Sequence, residues 1–250
     1  MIGNHKKAVL QFSGGKDSLA ALYLARPWLD EIEVHFGDTG AVFPHIVEFV
    51  KRTCESLGAN LKIVRPEVGI ETYHKEHGLP SDIVPSWATS FMAETMEEKP
   101  AVKVQGALVC CSKMLWEPMN AALLESGATL CIRGVKGGDE RLGVREERFV
   151  NGGIEYMSLV WSWTDGEVLS YLSREGAEIP PQYPEVDDGM DCWLCTGHLR
   201  THYAVSRMKY VSKNYPDLMP ELSRRAKALQ DVLHSEADKV DEVLEIAING

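Results

Sequence analysis

The sequence predicts an α/β fold, with an open and mostly parallel sheet, helices on both of its faces and a helical C-terminal extension. Short apolar runs alternate with segments of helical periodicity from Ala8 to Val135. A loop with two glycines joins the first run to the first helical segment, and the chain from Tyr215 onward is charged and apolar at helical spacing. Strands that alternate with helices are typical of a parallel sheet that is covered on both faces.

Local patterns predict each element in turn. Short runs of apolar and β-branched residues predict strands, and apolar residues that recur every three or four positions predict helices. The stretch HGLPSDIVPSWATSF shows neither pattern and is expected to be irregular. In chain order the predicted elements are strand Ala8–Ser13, helix Asp17–Arg26, strand Glu31–Phe36, helix Pro44–Leu57, strand Leu61–Arg65, helix Lys113–Glu125 and strand Thr129–Val135.

Two later elements have specific local signals. The glycines of FVNGGIEY, residues 149–156, stand between residues of strand character and predict a hairpin. Thr164 and Glu167 have the spacing of a capping box, which predicts a helix that runs to about Arg174 and stops at Gly176. We expect one domain over residues 1–196 and a helical extension over residues 197–250.

Composition restricts the class of protein. The 250 residues carry a net charge of −11, which argues against a general binder of nucleic-acid backbones. The N-terminus lacks a signal-peptide pattern, and no apolar run is long enough to span a bilayer. We therefore expect a cytoplasmic protein without a membrane partner. Its six cysteines are then expected to be thiols, metal ligands or catalytic groups rather than disulfides.

Positive charge is concentrated between residues 198 and 227, in an otherwise acidic chain. This segment is either a solvated helix face or a docking surface for a polyanionic acceptor such as a nucleic acid or a nucleotide. Its basic residues are Arg200, Arg207, Lys209, Lys213, Arg224, Arg225 and Lys227.

The loop SGGKDS follows the first predicted strand, where an open parallel sheet binds its ligands. Free backbone N–H groups at the start of the next helix favour an anion, and Gly14 and Gly15 allow phosphate oxygens to come close. Lys16 adds a positive charge there. The loop is not a Walker A motif, because Leu10 and Asp17 stand where that motif needs Gly and Ser or Thr. The expected phosphate-binding residues are Ser13, Gly14, Gly15, Lys16, Asp17 and Ser18.

Four cysteines form a second candidate site, as an adjacent pair and a pair separated by two residues. A turn can present both sulfurs of the second pair to one centre. Four thiolates suit a [4Fe–4S] cluster or a zinc ion, and unligated thiols remain the third alternative. The candidate ligands are Cys110, Cys111, Cys192 and Cys195, whereas Cys54 and Cys131 have apolar neighbours and are expected in the core.

Several motifs resemble those of one family. SGGKDS is similar to the pyrophosphate-binding loop of the PP-loop ATP pyrophosphatases, the adenine nucleotide alpha hydrolases. DTGAVFPH, RGVKGGDERLG, WSWTDGEVLSYL and CWLCT resemble, in the same order, segments of the phosphoadenosine phosphosulfate (PAPS) reductase branch. The matches run from about residue 8 to 200, and the cysteine spacing resembles the ligand set of the iron–sulfur members.

The resemblance implies roles for particular residues. The loop would bind the pyrophosphate of ATP with Mg²⁺, or the corresponding part of adenylyl sulfate (APS) or PAPS. Asp38 would bind the ion or position the ribose, and Lys136 and Arg141 would stabilise negative charge on the phosphate. Further nucleotide-binding residues are Thr39, Gly40 and Gly134, and the implied catalytic set is Lys16, Asp38, Lys136 and Arg141.

The sequence departs from the reductases in three places. They use a cysteine near the C-terminus as nucleophile, and this chain has no cysteine after Cys195. Met114 and Leu115 replace their basic pair after the adjacent cysteines. Reductases also tend to lose the loop lysine and the last loop serine, which this chain keeps as Lys16 and Ser18. The intact loop favours ATP.

Three functions therefore stand as hypotheses. The first is an ATP-dependent iron–sulfur enzyme that cleaves at the α-phosphate and transfers sulfur to an acceptor, with a sulfur-donor protein as partner. The second is a PAPS or APS reductase that uses the thiol of a partner protein. The third is a nucleotide- and redox-sensing subunit without catalysis. We also expect a homo-oligomer.

Overall fold

The computed structural model describes residues 5–95, 100–137, 146–186 and 189–249. Its strands are β1 (Ala8–Gln11), β2 (Ile32–Gly37), β3 (Asn60–Val64), β4 (Leu79–Ser81), β5 (Val104–Gly106), β6 (Leu130–Arg133), β7 (Arg148–Asn151) and β8 (Ile154–Ser158). Its α-helices are α1 (Lys16–Leu24), α2 (Pro44–Leu57), α3 (Ile70–His77), α4 (Ser90–Thr95), α5 (Ala107–Cys111), α6 (Glu117–Glu125), α7 (Asp165–Arg174), α8 (Ala204–Asn214) and α9 (Met219–Asn249).

Within the described ranges, six strands form one sheet in the order β3-β2-β1-β6-β8-β7. All neighbours are parallel except β7 and β8, which form the predicted hairpin. Ala8, Val9 and Leu10 of β1 are all buried although successive side chains point to opposite faces, so both faces of the sheet are covered there. The predicted α/β fold class, with its helical C-terminal extension, is confirmed.

The chain divides into two compact units. The first comprises Met1–Pro66 and Leu115–Asp191, and the second comprises Glu67–Met114 and Cys192–Gly250. The domain boundary predicted after residue 196 stays a prediction. In the second unit, Leu79 of β4 and Val104 of β5 share a hydrophobic core with the helix α9. Residues from the middle of the chain thus pack with the C-terminal extension.

The first unit contains the six-stranded sheet and the loop after β1. Apart from the start of α6, strand and helix bounds there lie within two residues of those predicted, and α2 has the predicted bounds. The capping box of α7 is present, because the Thr164 side chain accepts from Glu167 N–H while the Glu167 carboxylate accepts from Thr164 N–H. Helix α7 ends at Arg174, and Gly176, two residues later, has φ +66°.

The second unit contains elements that the sequence pattern did not predict. The stretch expected to be irregular holds the end of α3 and the strand β4, which pairs in parallel with β5. The helix expected from Lys113 begins earlier, at Ala107, and passes through a π-helical turn at Ser112–Trp116 before α6. Pro118, in the first turn of α6, has no N–H to donate to the Met114 carbonyl, so one α-helical hydrogen bond is missing just after the π-helical turn. No helix in the described part of the chain is long and apolar enough to cross a membrane.

Candidate functional site

The loop Ser13–Ser18 connects the carboxyl end of β1 to the start of α1. Gly14 adopts φ +82°, and a Cβ there would lie 2.9 Å from Ile46 Cγ2 and 3.0 Å from Val50 Cγ2 of α2. Ser13 N–H donates to Ser18 Oγ at 3.2 Å, and Ser18 Oγ donates to the Gly15 carbonyl at 2.9 Å. The two serines therefore close the loop into a turn at a helix N-terminus, and anion binding there stays a prediction.

Lys16 lies in an ion-pair network at the start of α1. Its Nζ is 2.9 Å from Asp17 Oδ2 and 2.7 Å from Asp165 Oδ1, at the first residue of α7. Lys136 Nζ contacts the same Asp165 oxygen and lies 3.6 Å from Asp17 Oδ1. Burial acts to lower the pKa of Lys16, but the hydrogen bonds to Asp165 and Asp17 outweigh it, so the pKa is raised. Lys16 is therefore fully cationic at neutral pH.

Tyr183 covers the same loop from a different part of the chain. Lys16 N–H donates to Tyr183 Oη at 3.0 Å, and Lys16 Nζ lies 5.7 Å from the centre of the tyrosine ring. Burial raises the pKa of Tyr183 to about 12. The hydroxyl therefore stays protonated and neutral near pH 7, and it accepts from a backbone amide at the helix start.

Gly134, predicted to bind nucleotide, has a packing role in the structure. It follows β6, and a Cβ on it would lie 2.4 Å from both Ser18 N and Ser18 Cα and 2.5 Å from Asp17 C. Real Cβ atoms essentially never approach backbone this closely. Only glycine lets the chain after β6 pass beside the first turn of α1.

Asp38, Thr39 and Gly40 form a tight turn after β2. One Asp38 carboxylate oxygen accepts from Gly40 N–H at 2.9 Å, and the other accepts from Arg65 Nε at 2.9 Å. Thr39 Oγ1 accepts from Ala41 N–H at 3.3 Å. These contacts give the three residues a structural role, and their predicted contribution to nucleotide binding stays a prediction. Arg141, the remaining predicted catalytic residue, lies outside the described residues.

The four candidate metal ligands all belong to the second unit. Cys110 and Cys111 end α5, and Cys195 N–H donates to the Cys192 carbonyl at 3.3 Å. Burial raises the pKa of Cys110, and the nearby thiols of Cys111, Cys192 and Cys195 raise it further. Cys110 is therefore close enough to the other three thiols for their charges to act on it. Among the described residues, however, no group of three or more His, Cys, Asp or Glu side chains is placed to hold a metal ion.

A series of hydrogen-bonded polar side chains leads to Cys110. Arg225 Nη1 lies 2.8 Å from His74 Nδ1, and His74 Nε2 lies 3.2 Å from Cys110 Sγ. Because a guanidinium only donates, His74 Nδ1 must be the acceptor, and the ring proton must sit on Nε2 and point at the sulfur. Burial, with the Arg225 charge, lowers the pKa of His74 to about 4, which keeps the ring neutral. Glu221 Oε1 accepts from Arg225 Nε at 2.7 Å.

Two contacts position the other cysteine pair. Arg207 Nη2 donates to the Cys192 carbonyl at 2.8 Å, and Thr196 Oγ1 donates to the Pro80 carbonyl at 2.5 Å. A Cβ on Gly197 would lie 2.6 Å from Ala107 Cβ and 3.5 Å from Cys195 Sγ. The segment after Cys195 is therefore held close to the start of α5, the helix that carries Cys110.

Residues 7–198 match the family model of the phosphoadenosine phosphosulfate reductase domain. The chain belongs to this family. The resemblance seen in the sequence motifs is thereby confirmed, and it covers the loop, the sheet and both cysteine pairs of this PAPS reductase family member.

Curated relatives named phosphoadenosine 5'-phosphosulfate reductase include those of Sodalis glossinidius and Cronobacter sakazakii. The first is 26% identical over 183 residues, which cover 72% of this chain and 66% of the relative. The second is 27% identical over 180 residues, which cover 71% of this chain and 65% of the relative. The chain spans just under two thirds of the length of these relatives.

A solved structure has a similar fold. The crystal structure of phosphoadenylyl-sulfate reductase from Candida auris, in a phosphate complex, matches with a TM-score of 0.51 and 17% sequence identity. The match covers 72% of this chain and 77% of that chain. At this identity the likeness concerns the fold of the PAPS reductase family and not the chemistry of individual residues.

The structure places the basic residues between 198 and 227 in different surroundings. Arg207 and Arg225 are buried, and their side chains hold Cys192 and His74 rather than facing solvent. Arg224 is exposed but paired with Glu221 at 2.6 Å, and Lys227 is paired with Asp231 at 2.8 Å. Two of the seven cations are therefore buried inside the second unit, whereas Lys209 and Lys213 are exposed, and an anion-binding surface in this segment stays a prediction.

Proposed function

We propose that this PAPS reductase family member is an enzyme that binds an adenine nucleotide through Ser13–Ser18 and acts at its α-phosphate. The observation that carries the proposal is the convergence of two ammonium groups on one point beside the loop. Lys16 Nζ and Lys136 Nζ both contact Asp165 Oδ1, next to the first turn of α1. Positioned cations and helix N-terminal amides are the groups that bind and stabilise phosphate charge.

Within this proposal the loop binds the phosphates distal to the nucleoside. Lys16 contributes a charge that does not titrate near neutral pH, and Lys136 stabilises charge at the phosphate under attack. With ATP as substrate, Mg²⁺ would neutralise part of the triphosphate. Arg141 would contribute a bidentate grip that Lys136, as a point charge, does not provide.

The first candidate reaction is ATP-dependent sulfur transfer. Activation at the α-phosphate releases pyrophosphate and leaves an adenylated acceptor oxygen, which a sulfur nucleophile then displaces together with AMP. Retention of Lys16 and Ser18 in the loop supports ATP.

By donor chemistry, the four cysteines of the second unit fit a [4Fe–4S] cluster. Thiolate sulfur is the ligand that such clusters use, and the pKa of Cys110 responds to all three of the other thiols. When bound, a cluster would supply electron transfer or a place to hold sulfur. In that site His74 would donate a hydrogen bond to the sulfur of Cys110, and Arg207 would orient the loop of Cys192.

The second candidate reaction is sulfonucleotide reduction, which the family and the names of the relatives favour. A thiolate of a partner protein would attack the sulfate sulfur of PAPS or APS. The sulfur–oxygen bond to the nucleotide would break and leave an S-sulfonated thiol. A second thiol of the partner would then displace sulfite and form a disulfide, so that the two thiols provide both electrons. No thiol of this chain is needed for these steps.

One pair of assays distinguishes the two reactions. The protein is purified without oxygen, its iron and acid-labile sulfide are measured, and two activities are followed with the wild type and Lys16→Ala. Exchange of labelled pyrophosphate into ATP, without sulfite release from PAPS or APS in the presence of dithiothreitol, would establish ATP activation. Sulfite release without exchange would establish reduction.

Lys16→Ala is expected to abolish whichever activity is present. Lys62→Ala on β3 is the control, because it removes the same charge from a residue outside the loop. Absence of both activities, together with nucleotide binding that Lys16→Ala does not weaken, would refute the proposal and favour a sensing subunit. The cytoplasmic location, the homo-oligomer, the partner protein and a polyanionic acceptor remain predictions.

A further inference from the structure

Glu221, Arg225 and His74 connect the helix α9 to the sulfur of Cys110 inside the second unit. Glu221 Oε1 accepts from Arg225 Nε at 2.7 Å, Arg225 Nη1 lies 2.8 Å from His74 Nδ1, and His74 Nε2 lies 3.2 Å from Cys110 Sγ. Arg225, His74 and Cys110 are 5%, 4% and 6% exposed. Burial of polar groups costs free energy unless hydrogen bonds replace the lost water, so these three contacts depend on one another.

The order of donors and acceptors fixes the direction of the last hydrogen bond. A guanidinium only donates, so Nδ1 of His74 accepts from Arg225 and carries no proton. The one proton of the neutral ring is then on Nε2, where it points at the Cys110 sulfur. Without Arg225 the ring could carry its proton on either nitrogen. Arg225 therefore determines that His74 donates to the sulfur.

A donor at this position acts on a sulfur that the proposed function assigns to a metal centre. A hydrogen bond to a thiolate ligand stabilises its negative charge, and such bonds are among the features that set the properties of iron–sulfur clusters. Groups that orient a metal ligand from behind typically change metal affinity by about 10–100-fold when they are removed. His74 has both the proton and the distance for this role.

The contacts from α9 are not a property of the matched family domain. The family model ends at residue 198, and both Glu221 and Arg225 lie beyond that point. The residues that set the direction of the His74 ring therefore come from the helical extension. The sulfur of Cys110 and the first turns of α9 are joined by hydrogen bonds within one compact unit.

We infer that His74 is a positioning residue for the metal ligand Cys110, and that Arg225, held by Glu221, directs its ring proton to the sulfur so that α9 helps the second unit to retain its metal. This inference rests on the proposed function, in which the four thiolates hold an iron–sulfur cluster. It assigns a role to three residues that belong to no recognised motif of the chain.

The test measures how fast the anaerobically purified protein gives up its iron to the chelator ferrozine. His74→Phe keeps an aromatic ring but removes the donor, and it is expected to release iron about tenfold faster than the wild type. His74→Gln places an amide N–H near the position of Nε2 and is expected to stay within about threefold of the wild-type rate. Rescue by glutamine depends on the N–H, whereas a ring that only fills space would be replaced better by phenylalanine.

Arg225→Met tests the second step. It removes the group that fixes the ring proton, and it is expected to speed iron release by about threefold. Combined with His74→Phe, it is expected to give no further increase beyond that of His74→Phe alone, because Arg225 acts on the sulfur only through His74.

Two controls make the same changes at neighbouring positions. His77→Phe replaces a histidine of the same helix whose side chain is 42% exposed. Arg224→Met removes a cation from the exposed residue beside Arg225, which pairs with the same Glu221. Both controls are expected to release iron at the wild-type rate, and thermal unfolding of each variant shows whether it is folded.

The outcomes distinguish this inference from the proposed function. If the wild type holds a cluster and His74→Phe releases iron at the wild-type rate, the cluster stands and the inference fails. Equal rates for His74→Gln and His74→Phe would also overturn it, because the ring would then act by packing alone. If His74→Phe does not fold, the comparison of Arg225→Met with Arg224→Met decides, and equal rates overturn the inference. A wild type that takes up no iron even with added iron and sulfide would refute the cluster and the inference together.

Discussion

A single glycine, Gly134, lets the chain after β6 pack closely against the first turn of α1. Gly134 permits a backbone contact that any side chain would block, since its Cβ would lie 2.4 Å from Ser18 N. Gly134→Ala is therefore expected to lower the free energy of unfolding by about 1–3 kcal/mol, the cost of an overpacked site. It should also weaken nucleotide binding, because the strain falls on the loop.

The control for Gly134→Ala is Gly166→Ala in α7. There a Cβ would meet only Thr164 Oγ1, at 4.0 Å, and alanine is the better helix former by about 1 kcal/mol. Urea unfolding followed by circular dichroism measures both variants. Equal stability of Gly134→Ala and the wild type would contradict the close approach.

The sequence revealed those site residues whose partners are close to them along the chain. The loop was predictable because its donors occupy six consecutive positions, Ser13 to Ser18. Tyr183 gave no signal, because it is 167 positions from the amide that it accepts from. The same holds for Arg225, which contacts a histidine 151 positions away. Such pairs are created by the fold, and a charge pattern alone assigned Arg225 to the surface.

Helices and strands were likewise predictable where their sequence signal lies within a few neighbouring residues. The capping box of α7 was predictable because Thr164 and Glu167 are three positions apart. Strands β4 and β5 were not, because each has three residues and neither is long enough to show a period. The π-helical turn before α6 was not predicted either, because a hydrophobic pattern does not distinguish a π-helical turn from an α-helical one.

The ion pairs of Glu221 in the first turns of α9 predict that the stability of the second unit depends on pH. The hydrogen bond from Arg224, with that from Arg225, lowers the pKa of Glu221 from 4.5 to about 2. A carboxyl group whose pKa is lowered by folding stabilises the folded state above its unfolded pKa. That stabilisation is lost as the pH falls from about 4.5 towards 2. Stability of the second unit should therefore decline over this range.

Glu221→Gln tests this dependence, because the amide still accepts a hydrogen bond but cannot ionise. The variant is expected to be less stable than the wild type by about 1 kcal/mol at pH 7, and the difference should shrink as the pH approaches 2. Glu242→Gln, at an exposed position of the same helix, is the control. Thermal unfolding between pH 2 and 7 gives the result, and a constant difference across this range would contradict the prediction.

The whole chain carries its two candidate sites in different compact units. The loop with Lys16 belongs to the unit that holds the six-stranded sheet, and the four cysteines belong to the unit built around β4, β5 and α9. Each site is formed by contacts inside its own unit. A substitution confined to one site should therefore leave the composition and folding of the other unchanged.

Because the two sites lie in separate units, a substitution in one site is expected to change either nucleotide binding or iron content, but not both. Lys16→Ala should abolish nucleotide binding and leave the iron and sulfide content of the anaerobically purified protein at the wild-type value. With the proposed cluster bound in the wild type, Cys192→Ser should lower the iron content at least severalfold and change the affinity for pyrophosphate by less than about twofold, because the loop belongs to the other unit. Calorimetry and metal analysis on the same preparations provide both numbers. Parallel loss of both properties in either variant would mean that the two sites share structure, which is incompatible with two separately packed cores.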